Sequence, residues 1–177
     1  IATDPSRIFA GSGAFTDDAG RSGLLRLEES PHGTVTLSSI EDSRGSWLSL
    51  SIDGVNVAGT APSLLACQEL QGHLPLLLHE NPKSVLHIGF GSGGTAWSVS
   101  RYPVDKSTIA EISPSVIKKA AKYFQSVNHG VLQDPRVEVV FTDGRNKVLA
   151  STEKYDVILS DSIHPRFSGN GSLYTYE

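Results

Sequence analysis

Ser84-Val85-Leu86-His87-Ile88, running into Gly89-Phe90-Gly91-Ser92-Gly93-Gly94, is the stretch on which the reading of the fold turns. A short, mostly apolar run that stops at glycines reads as a strand buried on both faces, as in a parallel sheet. The glycines fit G-x-G-x-x-G, and a helix is predicted directly after them, at about 94–101. In a strand–loop–helix setting such glycines admit positive φ and let the backbone come close to a ligand, while the helix start presents N–H groups. The loop points to a nucleotide or nucleoside ligand, a tight structural turn being the alternative.

Working outward toward the C-terminus, strand and helix alternate. Thr108-Ile109-Ala110-Glu111 reads as a strand. Ser113 as N-cap and Pro114 at the first helical position open a helix through Val116, Ile117, Ala120, Ala121 and Phe124. A strand over Val137–Phe141, a short helix near 145–151 and a strand over Tyr155–Ser160 follow. Three such alternations predict a parallel sheet with helices on both faces, a doubly wound α/β domain. Ligands of such sheets sit beyond the carboxyl ends of the strands. Those ends supply Gly89, Gly91 and Gly93, then Glu111, then Thr142-Asp143-Gly144, then Ser160-Asp161-Ser162. Glu111 stands 22 residues after Gly89, where an acid commonly accepts hydrogen bonds from ribose hydroxyls. Asp143 suits either an adenine amino group or a helix N-cap, and both roles stay open. Asp161 suits a reaction that transfers a group to an amine better than it suits a cap.

Toward the N-terminus, residues 1–22 read as a flexible lead-in and 23–60 as a small β-hairpin domain. Leu25 and Leu27, Val35 and Leu37, and Leu48, Leu50 and Ile52 alternate with polar residues, and Asp53-Gly54 marks a hairpin. Three or four antiparallel strands are expected. A helix opening near Pro62 should present Leu64, Leu65, Leu70, Leu74, Leu77 and Leu78 as its apolar face. Residues 61–177 then form the nucleoside-binding domain.

Composition narrows the function. The chain has 177 residues, 38% of them hydrophobic and 19% charged, enough to bury a core. Fifteen basic against nineteen acidic residues (formal charge −4) exclude the basic stripe of a non-specific nucleic-acid binder. No apolar run approaches the ~18 residues of a membrane helix. A single cysteine, Cys67, excludes a disulfide framework and a multi-cysteine metal site, and no metal is expected. The absence of methionine and the start at Ile1 suggest an excerpt of a longer chain, and the end at Glu177, soon after the fourth parallel strand, suggests a sheet truncated at the C-terminus.

Taken together, Pro82–Gly94, Ala110-Glu111-Ile112, Thr142-Asp143-Gly144 and Tyr155–Ser162 resemble the spermidine/spermine synthases, with further similarity at Asp53-Gly54, Gln68-Glu69, Leu74-Pro75-Leu76 and Ser172-Leu173-Tyr174-Thr175. The wording is closest to the spermidine synthase-like domains fused to membrane segments in bacteria. The resemblance covers residues 24–177. It implies a class I S-adenosylmethionine-dependent (Rossmann-like) transferase fold with a small N-terminal β-domain, and S-adenosylmethionine or its decarboxylated form as co-substrate. It implies Glu111 on the ribose, Asp143 and Gly144 at the adenine, Gly89, Gly91, Ser92 and Gly93 under the sulfonium nucleoside, and Asp161 as base. Gln68 and His164 would face the acceptor, a small amine or related molecule. A soluble, cytoplasmic stretch is implied, with a homodimer and a membrane domain in the parent protein as further expectations.

Four departures stand out. Ser92 replaces an acid in the glycine loop, His164 the second acid of Asp161-Ser162-Ile163-His164-Pro165, Cys67 a tyrosine, and Val57 a glutamine. A dicationic amine needs carboxylates to offset its desolvation, which Ser and neutral His do not supply. The nucleoside half of the site reads as intact and the polyamine half as altered. The alternatives are a methyltransferase using ordinary S-adenosylmethionine, a nucleoside-binding domain without turnover and, last, an NAD-linked oxidoreductase. Cys67 is expected to be a buried small hydrophobe, Trp47 and Trp97 to pack, and Lys118, Lys119 and Lys122 to form a solvated helix face.

Overall fold

The computed structural model describes residues 21–43 and 45–160. They fall into two compact units that divide between Leu65 and Ala66.

The first unit holds β1 (Arg21–Ser30), β2 (Gly33–Asp42), β3 (Gly45–Ile52) and β4 (Val55–Gly59), an antiparallel sheet in the order β1-β2-β3-β4. Four strands are present. The alternating residues Val35, Leu37 and Leu50 are buried together with Ala58. Between Ile52 and Val55 the chain turns on Asp53 (φ 49°) and Gly54 (φ 79°). Two left-handed residues in a two-residue loop match the twist of the strands they join. Asp53 also ties this turn to β2, because its Oδ1 accepts from Thr34 N at 2.8 Å and its own N–H donates to Thr34 O at 3.0 Å. In β4, Leu50 pairs with Ala58 but Ser51 with Asn56, so Val57 is the extra residue of a bulge.

Helix α1 (Pro62–Leu78) begins with proline, whose missing N–H is no loss at a first turn. It runs on through Pro75. Its buried stripe corrects the expected apolar face: Gln68, Gly72 and Leu76 point inward, whereas Leu70, Leu74, Leu77 and Leu78 are exposed. Gly72 gives the reason. A Cβ there would stand 2.5 Å from Ser98 Cβ and 2.8 Å from Thr95 O, so the backbone of α1 lies directly on the next helix along that side.

In the second unit β5 (Ser84–Ile88), β6 (Lys106–Glu111), β7 (Val137–Phe141) and β8 (Val157–Ser160) form a parallel sheet in the order β7-β6-β5-β8. The connections are α2 (Gly94–Ser100), α3 (Pro114–Tyr123) with the short α4 (Gln125–Asn128), and α5 (Gly144–Ala150). Leu76, Val85, Val99, Val157 and Leu159 form one apolar cluster, and Ile109, Phe90, Ala96, Ala120 and Val131 another. The paired residues His87, Ile109 and Leu159 place both clusters on one face of the sheet. On the other face Gly144, which opens α5, lies against Ile88 with no room for a side chain. The doubly wound α/β domain expected from the alternation is what these residues form. Because β8 returns to the far side of β5, the order of the sheet reverses there, and in open α/β sheets such a switch point is where ligands bind, beyond the strand ends.

Candidate functional site at the strand tips

Parallel pairing puts all four strand ends on one edge. Gly89 N donates to Ala110 O at 2.8 Å, and Thr142 N donates to Glu111 O at 3.2 Å. The glycine loop, Glu111 and the Thr142-Asp143-Gly144 turn therefore occupy three adjacent tips, with Ser160, the last residue of β8, paired to Ile88 on the other side.

The loop needs its glycines. Gly89, Gly91 and Gly93 have φ of 82°, 56° and 88°, values that strain any residue carrying a Cβ. Its two sides differ. Among the described residues a Cβ on Gly89 would meet nothing within 4 Å, so they leave the backbone there open to close approach by a ligand. A Cβ on Gly93 would stand 2.7 Å from Asn128 Cβ, and one on Gly94 2.7 Å from Gln68 Oε1.

Glu111 is buried at the end of β6. Its Oε2 accepts from Phe90 N at 2.9 Å and its Oε1 from Ser113 N at 2.8 Å. The carboxylate thus staples the glycine loop to the start of α3, and hydrogen bonds to a charged acceptor are the stronger kind. Asp143 is half-buried and its Oδ1 accepts from Asn146 N at 3.0 Å, which makes it the N-cap of α5. Its cap role is visible, on the strand tip next to that of Glu111.

Ser92 and Gln68 sit apart from the open side. Ser92 is fully buried and its Oγ donates to Gln68 Oε1 at 2.7 Å. Gln68 is buried as well, and its carbonyl accepts from Thr95 Oγ1 at 3.1 Å. Asn128, which the sequence reading missed, is equally buried; its Nδ2 donates to Ser92 O at 3.1 Å and Ala120 O at 3.0 Å, and its Oδ1 accepts from Gly130 N at 3.0 Å. No local pattern marks this residue: His129, with φ 49°, and Gly130 form a turn that only tertiary packing folds back onto the loop. Asp161, Ser162, His164 and Ser172–Thr175 lie outside the described residues.

Two smaller expectations are corrected. Cys67 is exposed, because the inward face of α1 is set by Gln68, Gly72 and Leu76. Lys119 is buried, one residue from exposed Lys118, since α3 turns Val116, Lys119 and Ala120 toward the sheet. Trp97 is half-buried, with the His129 ring 4.5 Å from its own and the Arg101 guanidinium 5.1 Å above it. His87, inside β5, is buried with both ring nitrogens lacking hydrogen-bond partners among the described residues, and burial lowers its pKa to about 4. Among the described residues no three His, Cys, Asp or Glu side chains group to hold a metal ion, and no helix is long and apolar enough to cross a membrane.

Comparison with known proteins gives the family and the fold. The sequence pattern of the spermine/spermidine synthase domain matches residues 64–177. A polyamine aminopropyltransferase of Sodalis glossinidius is 35% identical over 91% of this chain and 51% of its own length. That of Thermotoga petrophila is 37% identical over 72% of this chain and 43% of its own. The chain thus spans about half the length of these curated relatives. Among solved structures, a spermidine synthase in complex with the transition state analogue AdoDATO superimposes with a TM-score of 0.72 at 30% identity, covering 86% of this chain and 50% of the other. The spermidine synthase of Thermotoga maritima gives 0.67 at 31% identity, covering 78% and 46%. The Rossmann-like, methyltransferase-type fold that the family resemblance implies is shared with both. With that domain matched over residues 64–177 and relatives above 30% identity, this protein belongs to the spermine/spermidine synthase family.

Proposed function

We propose that these residues form the nucleoside-binding and transfer part of an aminopropyltransferase-type enzyme acting on S-adenosylmethionine or its decarboxylated form. The observation that carries the reading is the adjacency of the glycine loop, Glu111 and Asp143, secured by the backbone bonds Gly89 N to Ala110 O and Thr142 N to Glu111 O. An adenosine bearing a positive sulphur fits that edge. The open side of Gly89 accepts close approach, Glu111 offers a carboxylate for a ribose diol, and Asp143 with Gly144 offers an acceptor for the adenine amino group.

Asp161, next in sequence after β8, serves as base in this reading. An aliphatic amine has a pKa of ~10 and at neutral pH lacks a lone pair for attack. The carboxylate takes the proton as the amine nitrogen forms its bond to carbon, and the C–S bond breaks to release a neutral thioether. Alignment and deprotonation are then the protein's tasks, because the sulfonium is already a good leaving group. With the decarboxylated donor the group moved is aminopropyl and the thioether is 5′-methylthioadenosine.

In sequence, the chain departs from the family's polyamine-binding pattern at Ser92, His164, Cys67 and Val57. The buried Ser92–Gln68 hydrogen bond favours a second reading, methyl transfer from ordinary S-adenosylmethionine, since the loop brings no carboxylate to offset an ammonium on the reacting arm. Calorimetric titration of the chain with both forms of the co-substrate decides between them. Tighter binding of the decarboxylated form supports aminopropyl transfer, and the reverse supports methyl transfer. An Asp161→Asn variant that retains full turnover overturns the role given to Asp161, and absence of binding by 5′-methylthioadenosine at millimolar concentration overturns the nucleoside site itself.

A further inference from the structure

We propose that Gln68 and Asn128 are positioning residues for the glycine loop, gripping Ser92 by its hydroxyl and its carbonyl so that the loop holds its ligand-receiving shape before any ligand arrives. The inference rests on the nucleoside reading above in one respect only, the identity of what the loop receives.

Four of the six residues from Gly89 to Gly94 are glycine, so this segment has little conformational preference of its own and loses much freedom on ordering. Its shape must come from outside. Phe90 N is held by Glu111, and Gly93 N closes a turn on Phe90 O at 2.9 Å. Between these points Ser92 alone has a side chain that can be tethered. Its two polar handles go to residues distant in sequence: Oγ to Gln68 on α1 and the carbonyl to Asn128 at the end of α4. The same two residues crowd the neighbouring glycines: a Cβ on Gly94 would stand 2.7 Å from Gln68 Oε1, and one on Gly93 2.7 Å from Asn128 Cβ and 2.6 Å from the Phe90 ring.

Two buried amides are an uneconomical way to fill space, because an apolar side chain of equal volume does so without desolvating polar atoms. They are explained by what they bond. The close approach of α1 to α2 at Gly72 brings Gln68 to the height of Ser92, and the Gly130 N bond orients the Asn128 amide so that its Nδ2 faces the loop. Gln68, a substrate-facing candidate on sequence, is thereby assigned to the loop's support.

The test is a double-mutant cycle on the 177-residue chain, with Gln68→Met and Ser92→Ala removing opposite ends of one hydrogen bond. Hydrogen exchange of the unliganded amides at 90–94, the thermal midpoint and the affinity for 5′-methylthioadenosine are the readouts. Each single variant should speed exchange at 90–94 by about ten-fold and weaken binding by roughly two- to ten-fold, the range of one net hydrogen bond. The double variant should be no worse than the weaker single one, with sheet amides unaffected. Asn128→Asp, which cannot donate to the Ser92 carbonyl, should also loosen the loop. Unchanged loop exchange, additive effects in the cycle, or acceleration spread evenly over the sheet each overturn the inference. Failure of the unmutated chain to bind 5′-methylthioadenosine overturns the nucleoside reading instead, and the exchange cycle still decides the role of Gln68 and Asn128.

Discussion

The centre and one flank of the strand-tip row are built differently. At the centre, beyond β5 and β6, polar groups are buried and bonded within the protein: Glu111 holds two backbone amides, and Ser92, Gln68 and Asn128 hold one another. At the flank, beyond β7, Asp143 is half-buried and its carboxylate accepts from Asn146 N of its own helix, while Phe141 and Leu149 beside it are exposed. Acids at neighbouring tips, similar in the sequence, thus have unequal duties. The central one is part of the frame and the flanking one can be exchanged at small cost.

The sharpest way to break this contrast is Glu111→Ala. It orphans two buried N–H groups, each worth about 1–3 kcal/mol, so stability should fall by about 2–6 kcal/mol and nucleoside binding should vanish. If chemical denaturation shows a loss no larger than for Asp143→Ala, the division into frame and flank is wrong.

His87 extends the buried region into β5 and gives it a pH signature. Its folded pKa of about 4 lies below the usual 6.5, so the unfolded chain takes up a proton first as pH falls. The stability conferred by the neutral ring is complete above pH 6.5 and is lost on descending toward pH 4, about 3 kcal/mol in all. His87→Leu should remove that slope from denaturation midpoints measured between these pH values. An unchanged slope would show that the imidazole is not held neutral.

At the flank smaller effects are expected. Asp143→Ala should cost about 1 kcal/mol by loss of the cap, whereas Asp143→Asn should keep the cap and stability. If Asp143 accepts the adenine amino group, the Asn variant should still bind 5′-methylthioadenosine several-fold more weakly, since hydrogen bonds to a charged acceptor are about twice as strong as neutral ones. Equal affinities would reduce Asp143 to its cap. Smallest of all, Cys67→Ser should shift stability by less than about 0.5 kcal/mol, and the native thiol should react with a disulfide reagent without unfolding. A protected thiol would return Cys67 to the core.

Much of this was legible in the chain, for local reasons. Alternation of strand and helix, Asp53-Gly54, Pro114 after Ser113 and the spaced glycines each bias the backbone where they stand, so element order, the two left-handed turn residues and the row of strand ends followed without knowledge of packing. The buried stripe of α1 did not. Leucines at 70, 74, 77 and 78 outweigh Gln68, Gly72 and Leu76 on any hydrophobic count, and the smaller set is inward because Gly72 lets two helix backbones touch. Lys119 inside and Cys67 outside follow from the same kind of choice. Asn128 left no trace, being an ordinary residue before a turn.

The sequence by itself determined which residues turn, which extend and which acids stand at strand ends, since those follow from dihedral preference and period. Only the tertiary structure decided that Ser92 faces inward, that Gln68 supports the loop and that Glu111 joins loop to helix. Those are matters of which atoms come within hydrogen-bond reach after the chain has closed over some 20 to 40 residues, and no local preference encodes that distance.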